Sequence, residues 1–336
     1  MNEPIDRMAS QPLSRQAMLD VMEQIVTGAM PAEEIGVFLT MLAERGETST
    51  EIAAAVESLR RHAVRLPLSR PLELCDTCGT GGDGQGTFNI STVAAFVAAA
   101  AGARIVKHGN RAASSQCGSA DVLQALGVNI EPTPQRVAQC VEELGIGFCF
   151  APLFHPAMKI VAPVRKALGI RTIFNIVGPL ANPATLTFQC VGVGDLRLME
   201  PVAEALRALG VRRALVLHGV DGMDEATTTA ETEILELREG EITRSRLTPE
   251  SVGLPRATLE QVRGGDISRN AHIARSVLQG RASARLDIVA LNAGCILYAA
   301  NQAPTLREAV AKASDVLASG RAMKLLLQLL EMTNRA

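Results

Sequence analysis

The chain has 336 residues, 47% of them hydrophobic and 20% charged, with 28 Gly, no Trp and a formal net charge of −2. That length points to one large domain plus a smaller one, and the slightly acidic balance argues against a general nucleic-acid binder, which is usually basic. No run of roughly 18 uncharged apolar residues occurs, so no transmembrane helix is expected, and MNEPIDRMASQPLSR lacks the apolar stretch of a secretory signal.

The first seventy residues read as helices only. Met18, Val21, Met22 and Ile25 recur at helical spacing, as do Ile35, Phe38, Leu39, Leu42 and then Ile52, Ala55, Val56, Leu59. Thr48 and Glu51 form a capping box before the third stripe. Pro67 and Pro71 then break the pattern. The expected division is a helical domain over residues 1–70, joined by part of 160–185, and an α/β domain over 71–336.

From Leu72 short apolar runs alternate with helical segments. LELCDTC, RIVKHG, FCFAP, QCVGVG and RALVLHG read as strands, with helices near 91–102, 119–127, 134–144 and 196–210. Residues 231–246 read as an exposed hairpin turning at Glu239-Gly240, and the chain is helical from about 267 onward. The seven Cys are an odd number scattered from Cys75 to Cys295, which fits a reducing cytoplasm better than a disulfide framework. Cys75 and Cys78 form a lone CxxC with no second pair and no His pair at ligand spacing, and read as buried thiols.

Three segments carry chemistry. Gly79-Thr80-Gly81-Gly82-Asp83-Gly84 follows a strand, and a helix opens at Asn89-Ile90-Ser91-Thr92. A glycine-rich turn lets backbone N–H groups approach a phosphate, and a helix N-terminus favours an anion. The segment matches neither the P-loop pattern nor GxGxxG. Next, Lys107 to Ser115 and then Gly118-Ser119-Ala120-Asp121 begin at the end of the RIVKHG strand, where ligands of α/β sheets collect. Last, Asp221-Gly222-Met223-Asp224-Glu225 follows RALVLHG. Adjacent carboxylates there suit a hard cation such as Mg²⁺, although an acidic surface turn has the same composition.

Together these segments resemble the anthranilate phosphoribosyltransferase family. The resemblance rests on GTGGDGxxTFNIST at 79–92, KHGNRAASS at 107–115, GSADVLxALG at 118–127, HPAMKxVxPVRKxLGIRTIFN at 155–175, GPLxNPA at 178–184 and HGxDGxDE at 218–225, and spans nearly the whole chain. Met223 stands where Leu is expected, a conservative departure.

The resemblance implies a nucleoside phosphorylase/phosphoribosyltransferase-like fold, α/β with a small all-α N-terminal domain and the active site in the interdomain cleft. It implies transfer of phosphoribose from phosphoribosyl pyrophosphate to the amine of anthranilate, with Mg²⁺ as cofactor, in tryptophan biosynthesis, by a cytoplasmic homodimer that engages neither nucleic acid nor membrane. Gly79, Gly82, Asp83 and Thr87 would contact the donor. Asn89, Ile90, Ser91 and Thr92 would hold its pyrophosphate and metal, with Ser91 a Mg²⁺ ligand. Lys107, His108, Gly109, Asn110, Arg111, Ala112, Ala113, Ser114 and Ser115, with Ser119, would wrap the remaining phosphates and ribose. Asn110 and Arg165 would meet anthranilate, and Asp224 and Glu225 would hold a second Mg²⁺.

Arg165 has a chemical case of its own, since guanidinium pairs bidentately with carboxylate. From spacing alone it is equally a helix-surface charge. Whether His108 or His155 touches the acceptor or serves a strand end stays open. Two other readings compete. A pyrimidine nucleoside phosphorylase would need no pyrophosphate-bound metal, and a nucleic-acid-binding relative would be basic.

Overall fold

A computed structural model describes residues 11–112 and 116–335. Three helices open the chain: α1 (Arg15–Thr27), α2 (Ala32–Arg45) and α3 (Ser49–Arg61). Ser14 caps α1 by accepting from Ala17 N at 3.2 Å, and Gly28 ends it in the left-handed region at φ 76°. The capping box of α3 is reciprocal: Thr48 N donates to Glu51 Oε2 at 2.8 Å and Glu51 N to Thr48 Oγ1 at 3.3 Å. Glu51 is fully buried and also accepts from Leu13 N at 2.9 Å and Arg45 Nη2 at 2.5 Å, so its charge is compensated on all sides. The three apolar stripes face one core, and Met18, Met22, Phe38, Leu39, Leu42, Ile52 and Val56 have no exposed surface.

A seven-stranded sheet follows, in the order β3-β2-β1-β4-β5-β6-β7. Its strands are β1 (Cys75–Gly79), β2 (Ile105–Gly109), β3 (Ile146–Phe150), β4 (Phe188–Gly192), β5 (Arg213–Gly219), β6 (Thr232–Arg238) and β7 (Glu241–Leu247). The first five are parallel, and β6 and β7 add antiparallel strands at one edge. The β6–β7 hairpin turns through Glu239 (φ 49°) and Gly240 (φ 87°), as a tight primed turn requires. The outer strand β7 is polar and mostly exposed, which suits a free edge.

Helices cover both faces, and the alternation of the strands divides the side chains between them. Ile105, Phe148, Cys190, Leu215, Leu217 and Ile234 share a core with α4 (Ile90–Ala100) and the helices after residue 267. Val191, Ala214, Val216, Leu235 and Leu237 join a second core with α1, α2 and α3. Residues 160–185 form two helices, α8 (Met158–Leu168) and α9 (Ile173–Leu180), numbered after α5 (Ser119–Ala125), α6 (Pro134–Leu144) and α7 (Ala151–Phe154). Val161, Ile173, Phe174, Val177 and Leu180 lie in that second core, so the chain returns to the N-terminal helices midway through the sheet.

Several helix boundaries shift by one to three residues from the sequence reading, most at one start. The helix expected over 196–210 is α10 (Met199–Ala208), preceded by a 3₁₀ turn over Leu196–Leu198. Asp195 accepts from Arg197 N at 3.0 Å, and this local side-chain bond favours the tighter turn. Cys75 and Cys78 both lie in β1, the first buried and the second half-buried, and none of the seven cysteines forms a disulfide among the described residues.

Candidate active site

Four of the five parallel strands end in glycine: Gly79, Gly109, Gly192 and Gly219. The strand order reverses between β1 and β4, the position at which open α/β sheets leave a crevice beyond the strand ends. The loop after β1 lies there. Gly81 and Gly82 both take φ 68°, a left-handed conformation that favours glycine. Thr80 N donates to Gly192 O at 2.9 Å and Gly194 N to Thr80 Oγ1 at 3.3 Å, which locks this loop to the end of β4.

The acidic loop after β5 packs against the same place. Gly81 N donates to Asp224 Oδ2 at 2.6 Å, Ser91 N to Glu225 Oε1 at 3.0 Å, and Asp224 N lies 3.5 Å from Asp83 Oδ2. A Cβ at Gly79 would stand 2.1 Å from Asp224 Oδ2, and one at Gly192 would stand 1.6 Å from Asp224 O. No side chain fits at either position, so glycine is what lets the acidic loop reach the donor-type loop. Gly79 was legible from its motif. Gly192 was missed, although the Gly-Val-Gly that ends QCVGVG could have signalled it.

The electrostatics are one-sided. Asp224 and Glu225 are half-buried. Burial first and then Asp83 hold Asp224 well above the usual carboxylate range, and burial first and then Asp224 do the same for Glu225. The buried Lys107 is the facing cation. Its Nζ donates to Thr77 O at 2.5 Å and lies 3.4 Å from Ser91 Oγ. Three carboxylates against one ammonium leave a demand for positive charge, and their oxygens are hard donors. Among the described residues no group of three or more His, Cys, Asp and Glu could enclose a metal by itself. That is the donor set a Mg²⁺ ion uses when it takes one or two carboxylates and completes its shell with water and substrate phosphate.

Helix α4 begins behind this cluster. Asn89 occupies its N-cap position without capping. Its Nδ2 donates to Cys117 O at 3.0 Å and its Oδ1 accepts from Asn270 Nδ2 at 3.1 Å. Ile90 and Thr92 are buried in the first turn, and Thr87 bridges to Arg263.

Lys107 and His108 lie within β2, as the strand reading of RIVKHG expects, and both are buried. Register with β3 continues through Gly109, which draws Lys107 beneath the site. Gly109 admits the Ser119 Oγ that a Cβ would displace, at 2.2 Å. Asn110 is exposed, and its carbonyl accepts from Ser119 Oγ at 3.2 Å and Ala120 N at 3.1 Å. Arg111 pairs with Asp121 at 3.0 Å and stands over Phe150, 5.7 Å from the ring centre. Asp121 also accepts from Ala112 N at 2.9 Å. Ala113, Ser114 and Ser115 lie outside the described residues.

The acceptor candidates lie on the helical side. Arg165 is half-buried on α8, over the Phe174 ring at 5.7 Å, with Nη2 3.3 Å from Asn175 Oδ1. Burial lowers its pKa. His108 and His155 meet edge to face with ring centres 5.0 Å apart. Burial pushes His108 down to about 3 and His155 down to about 4, so both rings are neutral. His108 Nδ1 lies 3.2 Å from Gly178 O, which makes Nδ1 the protonated nitrogen.

The fold and this site together define a pentosyl-transfer enzyme of the glycosyl transferase type. The α/β-domain model of the glycosyl transferase family matches residues 72–323, and its helical-bundle-domain model matches residues 5–63. The anthranilate phosphoribosyltransferase of Symbiobacterium thermophilum is 49% identical over 314 residues, which are 94% of this chain and 92% of that protein. The crystal structure of the Thermus thermophilus anthranilate phosphoribosyltransferase superposes with a TM-score of 0.93 at 45% identity, over 99% of this chain and all of that one. The Saccharomyces cerevisiae enzyme, solved in complex with PRPP and Mg, superposes with a TM-score of 0.85 at 27% identity, over 95% of this chain and 92% of that one. The chain belongs to the anthranilate phosphoribosyltransferase family.

Proposed function

We propose that this chain transfers the 5-phosphoribosyl group from 5-phospho-α-D-ribose 1-diphosphate to the amine of anthranilate, releasing pyrophosphate, in tryptophan biosynthesis. The observation that carries the reading is the locking of the glycine loop after β1 onto the Asp224-Glu225 loop at the point where the sheet reverses its order.

The donor's charge calls for backbone amides and metal, which this side of the cleft supplies. The amides of Gly79, Gly82 and Asp83 and the first turn of α4, from Asn89 to Thr92, would meet its phosphates. Lys107, Arg111 and Ser119 add positive and hydroxyl contacts, and Thr87 closes the loop. Ser91, Asp224 and Glu225 would hold Mg²⁺, the cofactor of this reading, and when bound it neutralises charge on the departing pyrophosphate. Arg165 orients the anthranilate carboxylate, and Asn110 holds the amine side.

Displacement is direct. A ribosyl–enzyme would need a free, positioned carboxylate. Asp83 accepts from Gln85 N at 3.1 Å and faces the Asp224 amide, Asp224 holds Gly81, and Glu225 holds Ser91. None is free to attack. Mixing the protein with donor, anthranilate and Mg²⁺ should extinguish anthranilate fluorescence, with intersecting initial-rate lines. Unchanged fluorescence would overturn the activity; labelled ribose on denatured protein after incubation without anthranilate would overturn the direct route.

The working form is a homodimer joined through the helical side. An apolar groove of about 690 Å³ runs between α2 and α8, lined by Gly36, Val37, Met41, Val164 and Leu168. Val37 and Ile160 are exposed nearby, and a twofold contact is the usual way to cover such a face. The division near residue 70 is part of this reading, with α8 and α9 counted with the N-terminal helices. So is a cytoplasmic location, which seven cysteines without a disulfide among the described residues favour. No helix among the described residues is long and apolar enough to cross a membrane.

A further inference from the structure

The segment 178–182, which carries the chain from α9 back toward β4, is gripped by buried groups from both sides of the cleft. Gly178 O faces His108 Nδ1 at 3.2 Å, and Leu180 O accepts from Arg60 Nη2 at 2.7 Å. Pro179 O accepts from Gln189 Nε2 at 2.9 Å and from the Cys78 thiol at 3.3 Å. Asn182 is fully buried; its Nδ2 donates to Val106 O at 2.7 Å and Asp76 Oδ2 at 2.9 Å, and its Oδ1 accepts from Ala184 N at 2.9 Å.

Asp76 is the unusual member. It lies inside β1, has no exposed surface, and makes no ion pair within 4.0 Å among the described residues. Its Oδ1 accepts from Thr77 N at 2.7 Å and His108 N at 3.2 Å. A carboxylate is expensive to bury, and a strand interior needs none to fold. Here one carboxylate joins the strand leading into the donor loop, the strand bearing Lys107 and His108, and, through Asn182, the segment that ends α9. The opposite end of α9 carries Asn175, which meets Arg165.

We propose that Asp76 and Asn182 are positioning residues that fix the acceptor side of the cleft, His108 and Arg165 included, in register with the donor loops. The proposal rests on the transferase reading above. Its loss should separate the two substrates: donor binding uses loops that stay anchored on the sheet, whereas productive anthranilate placement depends on the 178–182 segment.

Asp76→Asn is a selective test. The amide keeps an oxygen for the Thr77 and His108 N–H groups but turns an NH₂ toward the Asn182 NH₂, so of the hydrogen bonds of Asp76 only the tie to the segment breaks. Asn182→Ser is the second variant and leaves Asp76 charged and bonded to both amides. Wild type must first turn over, which separates failure of the activity from failure of this proposal. The expected result in each folded variant is a fall of about tenfold or more in kcat/KM for anthranilate, while calorimetric donor affinity in Mg²⁺ stays within about threefold. The double variant should lose less than the two single losses added together, because the variants share the Asp76–Asn182 bond. Amide exchange at 178–184 should quicken in both. A kcat/KM for anthranilate within about twofold of wild type in either folded variant would overturn the proposal, as would an equal loss of donor affinity. Failure of both variants to fold would overturn it too, because the network would then serve the fold alone.

Discussion

The sheet side and the helical side of the cleft are made from different materials. On the sheet side the site is mostly backbone. Gly79 and Gly192 give way to the acidic loop, the Gly81 amide holds Asp224 from a left-handed turn, and the first turn of α4 faces Glu225. On the helical side the site is side chains, with Arg165 over Phe174 and His155 against His108. A multiply charged donor can be held by many weak dipoles and a metal. A small aromatic acid offers one carboxylate, and a single guanidinium has to find it.

If the sheet side works through metal, removing its carboxylates should have the largest effect. Asp224→Ala or Glu225→Ala is expected to weaken Mg²⁺-dependent turnover by about 100-fold or more, with part of the loss recovered at high Mg²⁺. The fold should survive, because burial and mutual repulsion already raise both pKa values and each deletion relieves that repulsion. Steady-state assays over a Mg²⁺ series check this; wild-type turnover in both variants would reduce the loop to an acidic turn.

Next comes the helical side. Arg165→Ala should remove a charge-assisted contact of about 1.5–3 kcal/mol, roughly 10- to 100-fold in KM for anthranilate, and leave the donor KM nearly unchanged. Arg165→Lys should restore only part, since ammonium lacks the bidentate fork. Kinetics with each substrate varied would sink the division of labour if the donor KM carried the defect.

A smaller effect separates the two sides by pH. His108 and His155 are held neutral by burial, with pKa lowered to about 3 and about 4. A histidine with a lowered folded pKa lends stability that is complete above its unfolded value near 6.5 and lost as pH falls from there toward the folded value. Each should contribute about 1.4 kcal/mol per pH unit within that window. The raised carboxylates Asp76, Asp224 and Glu225 act with the opposite sign, since their protonation at low pH favours the folded state. Comparing wild type with His155→Asn isolates the histidine part: the variant should lose less stability between pH 6.5 and 4.5 (both about ±0.2) in chemical denaturation. Equal slopes would mean that His155 is not buried neutral.

The smallest effect on catalysis should come from the groove between α2 and α8. Val37→Asp places a charge on that apolar face and should convert a species of about twice 35.6 kDa into one of 35.6 kDa in light scattering, with kcat within about twofold. A wild-type mass of 35.6 kDa would remove the dimer.

The sequence alone determined what is local. Helical stripes, the Thr48/Glu51 box, the Glu239-Gly240 turn, five parallel strand cores and the glycine loop can all be read because each depends on neighbours within a few residues. Family motifs favoured a site role for the acidic pair and Arg165, which spacing alone left open between a site and a surface turn or surface charge. The tertiary structure decided the rest. Gly192 becomes indispensable only when Asp224 O stands where its Cβ would be, and Lys107 becomes a buried cation only when β2 runs on beside β3. Asp76 and Asn182 are 106 residues apart. In one dimension, a buried Asp in a strand and an Asn between prolines and alanines are each unremarked polar residues. Only the crossing of the chain beneath β1 pairs a stranded acceptor with a donor, and burial is what gives that single hydrogen bond its weight.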